Sequence, residues 1–108
     1  MKWYKFEVDK FLDEALRLSD AQELAYRRLM DAYYVTEKPL PLDMSELLEL
    51  TGVSPDDTLY VLSFLFYKTK EGWRDPNIDM AIAKHQHQRK TNQTQGKRGG
   101  RPKKSTIA

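Results

Sequence analysis

The basic residues near the C-terminus are the strongest chemical signal in this sequence. Five of them lie among glycine and proline between residues 96 and 104: Lys97, Arg98, Arg101, Lys103 and Lys104. Lysine and arginine neutralise nucleic-acid phosphates, and this contact needs charge but no fixed geometry. Small residues beside an arginine also let the backbone approach a narrow minor groove, where negative potential attracts a guanidinium. The pattern therefore predicts contact with DNA at low sequence specificity.

The order of arginine, glycine and proline in this segment resembles an AT-hook, whose core is Arg-Gly-Arg-Pro. One additional glycine separates Arg98 from Arg101, so their guanidinium groups are spaced differently from those of the motif. The alternative interpretation is a polybasic segment that serves solubility. If about five cations engage duplex phosphates, log K should fall with log salt at a slope near −4 to −5.

Charge is divided unevenly along the 108 residues, although the formal net charge is only +2. All 16 acidic and ten of the 18 basic residues precede Lys84, giving −6, whereas residues 84–108 carry eight basic residues and no acidic one, giving +8. Such asymmetry is typical of a nucleic-acid-binding arm on a separate module. We predict a domain at residues 1–83, the end of a last helix at 84–91, and a disordered basic tail at 92–108, where too few aliphatic side chains offset the entropy of ordering.

The domain is predicted to be organised around a corner of two helices. Asp43 has the position of an N-cap, and Gly52 can adopt the left-handed conformation that ends a helix. Ser54 and Pro55 then provide a second N-cap and first helical position. Two helices joined by so few residues favour a helix-turn-helix. Its apolar residues are expected to form core: Leu47, Leu48, Leu50, Leu59, Leu62 and Phe66.

A hairpin is predicted directly after this corner. Residues 64–68 form its first strand, residues 70–72 its turn, and Trp73 opens the second strand. Residues 38–41 contain two prolines and are expected to be extended, where a winged helix has its first short strand. The predicted fold class is mainly α with a small β-hairpin: a winged helix-turn-helix domain followed by a disordered basic C-terminal tail.

Four further elements are predicted outside this unit, one of them a single helical turn at residues 11–16. Alternation of apolar and charged residues from Tyr4 to Val8 indicates a short strand. A capping box at Ser19 opens the longest helix, which reaches about residue 36. A last helix is expected to begin at Pro76 or a few residues later.

The second helix of the corner would be the recognition helix, yet its first turn carries Asp56 and Asp57. Phosphates repel these carboxylates, whose ordinary role is to complement the helix dipole. We therefore expect the domain to contact phosphates through cations of the hairpin, Lys68, Lys70 and Arg74.

A protein-binding surface is the alternative use of the domain. The adjacent pair Tyr33 and Tyr34 is expected to place at least one ring outward, and aromatic rings are frequent anchors of interfaces. Asp57 and Tyr60 complete this candidate surface. The partner would be another protein or a second copy of the chain.

The sequence offers no sign of catalysis, and we predict a non-catalytic protein without cofactor or metal. Cysteine is absent, which excludes disulfides and thiolate sites. His85 and His87 point to different sides of a helix, and no acid follows them to complete a metal site. The chain contains no phosphate-binding glycine loop and no paired nucleophile and base. Because no apolar run approaches about 18 residues and the N-terminus is unlike a signal peptide, we expect a cytoplasmic protein without membrane contact.

Several segments resemble the YdaU-like family of phage and prophage proteins, a family of unassigned function. They are Trp3-Tyr4-Lys5, Leu18-Ser19, residues 25–34, Pro39-Leu40-Pro41, Val61-Leu62, Gly72-Trp73, Ile82-Ala83-Lys84 and residues 96–104. The chain departs from the family at Leu24, where glycine is more frequent, and in its brevity. The resemblance implies a winged-helix fold and a place in phage DNA replication or gene regulation. It supplies no catalytic residue.

The resulting expectation is a non-catalytic, phage-encoded DNA-binding accessory protein in the host cytoplasm. Its basic tail would contact phosphates or the minor groove. The alternative is an interaction module whose acidic body docks on a host or phage replication or transcription protein, or forms a homodimer.

Overall fold

The computed structural model describes residues 1–99, with side chains described up to residue 91. Over this range the fold is mainly helical with a two-stranded antiparallel sheet, which confirms the predicted class at that level. The elements in chain order are α1 (Val8–Ala15), α2 (Asp20–Thr36), α3 (Met44–Thr51), α4 (Pro55–Leu65), β1 (Tyr67–Lys68), β2 (Trp73–Arg74) and α5 (Pro76–Gly99).

The starts of α2, α3 and α4 are fixed by local side-chain caps. Ser19 Oγ accepts a hydrogen bond from the Gln22 amide at 3.2 Å, and the Ser19 amide donates to Gln22 Oε1 at 3.0 Å. This pair is the predicted capping box. Asp43 and Ser54 cap α3 and α4, each accepting from the amide three residues further on. Gly52 ends α3 in the left-handed conformation, with φ of 69°.

Helix α2 lies at the centre of the fold and packs against α3, α4 and α5. The side chains that are almost completely buried include Ala25, Leu29, Tyr33, Leu40, Leu47, Val61 and Leu62. Each large apolar side chain removed from water stabilises the fold by about 1.5–3 kcal/mol. The corner of α3 and α4 is therefore held against α2 by a shared apolar core.

Leu59 is not part of that core, and its prediction as a core residue is wrong: the side chain is 46% exposed. Thr58 takes the inward position, and its hydroxyl lies 2.9 Å from the Thr51 hydroxyl on α3. Both threonines are fully buried, and an unpaired buried hydroxyl costs about 1–3 kcal/mol. Leu48 and Leu50 are half-buried. Because the predicted core was based on apolar spacing, it did not include this polar pair, which links α3 to α4.

The hairpin begins later than predicted, because Phe64 and Leu65 still belong to α4. The first strand starts at Tyr67, which pairs with Arg74, while Lys68 pairs with Trp73. The predicted strand start at residue 64 is therefore wrong.

Leu40 lies on the other side of Trp73 from β1. The Leu40 amide donates to the Trp73 carbonyl and the Trp73 amide donates to the Leu40 carbonyl, both at 2.9 Å. The expected extended conformation of residues 38–41 is confirmed at Leu40, which forms an isolated antiparallel bridge.

Residues 1–7 form no strand, so that prediction is also wrong. The segment lies across α2 instead. The Tyr4 ring stacks on Tyr34 with centroids 3.8 Å apart, and its hydroxyl donates to Asp31 Oδ1 at 2.5 Å. Burial, followed by this hydrogen bond, raises the pKa of Tyr4 to about 12. No described strand lies beside residues 1–7 to pair with their backbone. The alternating apolar side chains of this segment therefore contact a helix instead of forming one face of a sheet.

Candidate nucleic-acid and protein interfaces

The hairpin presents two exposed lysines, Lys68 and Lys70. The side chain of neither lysine forms a hydrogen bond or ion pair with another residue among 1–91. Both can therefore approach a phosphate without losing an internal contact.

Arg74, the third predicted cation of the hairpin, has internal partners. Its guanidinium donates to Asp79 Oδ2 at 3.1 Å and to Glu71 Oε1 at 3.2 Å. These hydrogen bonds, first to Asp79 and then to Glu71, raise the pKa of Arg74. The contacts tie the hairpin to the first turn of α5. This structural role of Arg74 was not predicted from the sequence.

The two carboxylates at the start of α4 differ in their surroundings. Asp57 Oδ2 accepts from Ser54 Oγ at 3.0 Å, and its other oxygen accepts from Gln22 Nε2 at 3.1 Å. Asp57 therefore links the start of α4 to the start of α2. Asp56 is exposed, and its side chain makes no hydrogen bond or ion pair with another residue among 1–91.

The expectation that Tyr33 or Tyr34 points outward is wrong. Tyr33 is 0% and Tyr34 9% exposed. The Tyr33 hydroxyl donates to Asp79 and accepts from the Asp75 amide at 3.4 Å. Burial, then the Asp79 hydrogen bond, raises the pKa of Tyr33. Both sides of α2 are covered, one by α3 and α4 and the other by residues 1–7, whose Tyr4 stacks on Tyr34.

Tyr60 is the one predicted aromatic anchor that lies on the described surface. It is 45% exposed and packs beside Phe64, with ring centroids 5.9 Å apart. Leu59 and Phe64 extend this surface, at 46% and 40% exposed. From the sequence, Leu59 was predicted to lie in the core and Phe64 in a strand. The four-residue step from Tyr60 to Phe64 was the signal that would have found this outward face.

Glu37 joins three parts of the chain and was not singled out from the sequence. It ends α2 with left-handed φ and ψ of 57° and 33°. Its carboxylate accepts from the α-amino group of Met1 at 3.1 Å, from Gln86 Nε2 at 3.1 Å and from Arg89 Nη1 at 3.4 Å. The Met1 hydrogen bond, followed by that of Gln86, lowers the pKa of Glu37 to about 2. Glu37 therefore fastens α5 and the N-terminus to the end of α2.

Substituting Glu37→Gln is expected to remove a stabilisation that depends on pH. Since folding lowers the pKa of Glu37 from 4.5 to about 2, its contribution is complete above pH 4.5 and is lost as the pH falls towards 2. Thermal unfolding of both proteins between pH 7 and pH 2.5 should show a gap in Tm that narrows over this window. Glu49→Gln, at an exposed residue without an ion pair among residues 1–91, is the matched control. A constant gap would contradict the assigned role of Glu37.

The described residues contain no cluster of three His, Asp or Glu side chains that could hold a metal ion. His85 is half-buried and His87 exposed. No helix among the described residues is both long and apolar enough to span a bilayer.

Helix α5 continues to Gly99, beyond the predicted helix end at residue 91. Its exposed residues include Lys84 and Arg89. Lys97 and Arg98 lie within its backbone range, but their side chains fall outside the described ones. Arg101, Lys103 and Lys104 lie outside the described residues altogether, as does most of the predicted disordered tail.

These features define a small helical protein with a β-hairpin, an outward aromatic face on α4 and exposed lysines on the hairpin. The chain belongs to the family described as Protein of unknown function (DUF1376), whose sequence profile matches residues 2–83. The matched region ends directly before the basic residues of segment 84–108 begin. Searches of curated proteins and of solved structures found no match.

Proposed function

We propose that this protein is a non-catalytic DNA-binding accessory protein, in which the basic tail contacts phosphates and the hairpin lysines add a second contact. The observation that carries the proposal is the division of charge. All 16 acidic residues lie before Lys84, and eight basic residues follow without one acid. A polyanion such as DNA is attracted to this basic segment and repelled by the acidic body. Binding through the tail requires only positive charge there, and no net positive charge on the body.

The fold supports a winged-helix interpretation of the body. Leu40, Trp73 and Lys68 lie side by side as three short extended segments, next to the corner of α3 and α4. In this interpretation α4 is the recognition helix and the hairpin is the wing. Because α4 presents Asp56 and aromatic rings outward, the wing is the better phosphate contact of the two.

A phage origin and a role in replication or gene regulation follow from the resemblance described above. An accessory role suits a protein of this kind, since binding with low sequence specificity positions a module on DNA without selecting a site. The protein would then act in the host cytoplasm.

Deleting residues 96–108 is expected to abolish retention of a random duplex in a gel-shift assay at moderate salt. The five cations of the tail lie in this segment, and they supply most of the phosphate contacts. Undiminished binding by the truncated protein would contradict the proposal.

Two single variants of the hairpin, Lys68→Gln and Arg74→Gln, separate a contact with DNA from a contact that stabilises the fold. Lys68→Gln should weaken binding at unchanged Tm, whereas Arg74→Gln should lower Tm because Asp79 and Glu71 lose their partner.

A second candidate function is docking on another protein through α4. The specific observation in its favour is the outward face of Leu59, Tyr60 and Phe64, which leaves large apolar side chains 40–46% exposed. Aromatic residues are enriched at the centres of interfaces. The partner class in this proposal is a replication or transcription protein of phage or host, and tail and body would divide the work.

A further inference from the structure

The outward face of α4 is an apolar surface that ends in opposite charges, and we infer that a second copy of this chain occupies it. The two copies of α4 would lie antiparallel about a two-fold axis, so that the same patch meets itself. This inference rests on the second candidate function, docking through α4, and names the partner.

The apolar part of the face is continuous along the helix. Steps of three and four residues bring positions 56, 59, 60, 63 and 64 to one side of α4. Leu59, Tyr60 and Phe64 on this side are 46%, 45% and 40% exposed, while Val61 and Leu62 on the inward side are 0% exposed. The rings of Tyr60 and Phe64 touch, with centroids 5.9 Å apart. Both sides of α4 thus carry large apolar side chains, although residues 1–91 cover only one side.

Charge at the two ends of the face sets the orientation. Asp56 lies in the first turn of α4, and Lys68 and Lys70 follow its last turn on the hairpin. All three are exposed, and their side chains make no hydrogen bond or ion pair with another residue among 1–91. The 11 residues of α4 span about 16 Å, which keeps the two charged groups apart within one copy.

An antiparallel pair brings these charges together between copies. Asp56 of each copy then faces Lys68 and Lys70 of the other copy. The two-fold axis generates two equivalent contacts of this kind. A parallel pair would set carboxylate against carboxylate and lysine against lysine, and both contacts would be repulsive. Apolar contact in the middle and charge at both ends therefore select one arrangement.

Self-association would give each assembly two basic tails. Once one tail binds a duplex, the second binds at the effective concentration set by the linkage, so the dimer holds DNA more tightly than a single chain does. The proposed contact is made by α4 and the hairpin lysines and uses none of the five tail cations.

The test uses two charge-reversed forms of the full chain, Asp56→Lys and the double variant Lys68→Glu with Lys70→Glu. Sedimentation equilibrium at about 100 μM should show wild type as a dimer and each variant alone with a Kd raised at least about tenfold. An equimolar mixture of the two should recover the dimer, because both charge contacts are then attractive. Tyr60→Ala should also weaken self-association. Glu49→Lys on α3 is the matched control and should leave the dimer intact.

Three outcomes would overturn the inference: a monomeric wild type, a dimer insensitive to either reversal, or a mixture that fails to recover. Circular dichroism of each variant shows that the fold is retained. A monomeric wild type whose lysate partners are lost on Tyr60→Ala would place another protein on α4, overturning self-association and leaving docking in place. Gel-shift assays on wild type and Tyr60→Ala report the DNA-binding proposal separately, since this variant changes neither the tail nor the hairpin lysines.

Discussion

Substituting Gly72→Ala is expected to destabilise the fold by about 2–4 kcal/mol. Gly72 has a φ of 144°, which side chains of L-residues rarely adopt. An added Cβ would lie 2.1 Å from the Leu40 carbonyl oxygen and 3.1 Å from Pro39 Cβ. The Leu40 backbone is held in place by two hydrogen bonds to Trp73, both 2.9 Å long. Relief of the clash therefore requires separating Leu40 from the hairpin.

Urea denaturation followed by circular dichroism measures this loss. Gly52→Ala is the matched control, because its φ of 69° is also left-handed but the nearest atom to the added Cβ is Arg28 Nη1, at 2.7 Å. An arginine side chain can move away, so the expected cost there is about 1–2 kcal/mol. If Gly72→Ala cost no more than Gly52→Ala, the close packing of residues 38–41 on the hairpin would be wrong.

Local chemistry explains which elements were predictable from the sequence. The caps at Ser19, Asp43 and Ser54 and the left-handed turn at Gly52 each depend on residues within four positions of one another. Their roles follow from residue type and spacing, and the structure confirms them. The interpretation of residues 38–41 succeeded for the same reason, because proline restricts its own backbone and that of the preceding residue.

Long-range contacts explain the errors. Tyr4 and Tyr34 stack across 30 positions of the chain, and no local pattern indicates that residues 1–7 cover α2. Residues 1–7 also bury Tyr34, so the prediction that this side chain could be exposed was wrong. Leu59 and Thr58 illustrate a second limit. Apolar spacing favoured Leu59 for the core, whereas the inward side of α4 carries Val61, Leu62 and Thr58. The Thr58 hydroxyl there pairs with the Thr51 hydroxyl.

The candidate surfaces were predictable only in part. Lys68, Lys70 and Tyr60 are exposed as their predicted roles require. Asp57 has a partner distant in sequence, Gln22, that spacing rules do not reveal. Arg74 and Asp79 are only five positions apart, but they lie on β2 and α5, so the spacing within one helix or strand does not reveal their contact.

Neutralising the basic tail is the prediction with the largest expected effect on binding. Exchanging the five tail cations for glutamine removes phosphate contacts and keeps the length of the chain. These cations are Lys97, Arg98, Arg101, Lys103 and Lys104. Each lost contact lowers the magnitude of the salt slope by about 0.9. The affinity for a random duplex should fall about 10²–10³-fold at low salt. Lys68 and Lys70 remain in this variant and should leave a residual slope of about −2.

The most direct test of the claim that the basic tail holds DNA is the salt dependence of duplex binding. It is measured with the wild-type and neutralised proteins between about 50 and 200 mM salt. The five tail cations should contribute about −4 to −5 to the slope of log K against log salt, and the neutralised protein should lose that contribution. Equal slopes for the two proteins would contradict a role of the tail in holding DNA.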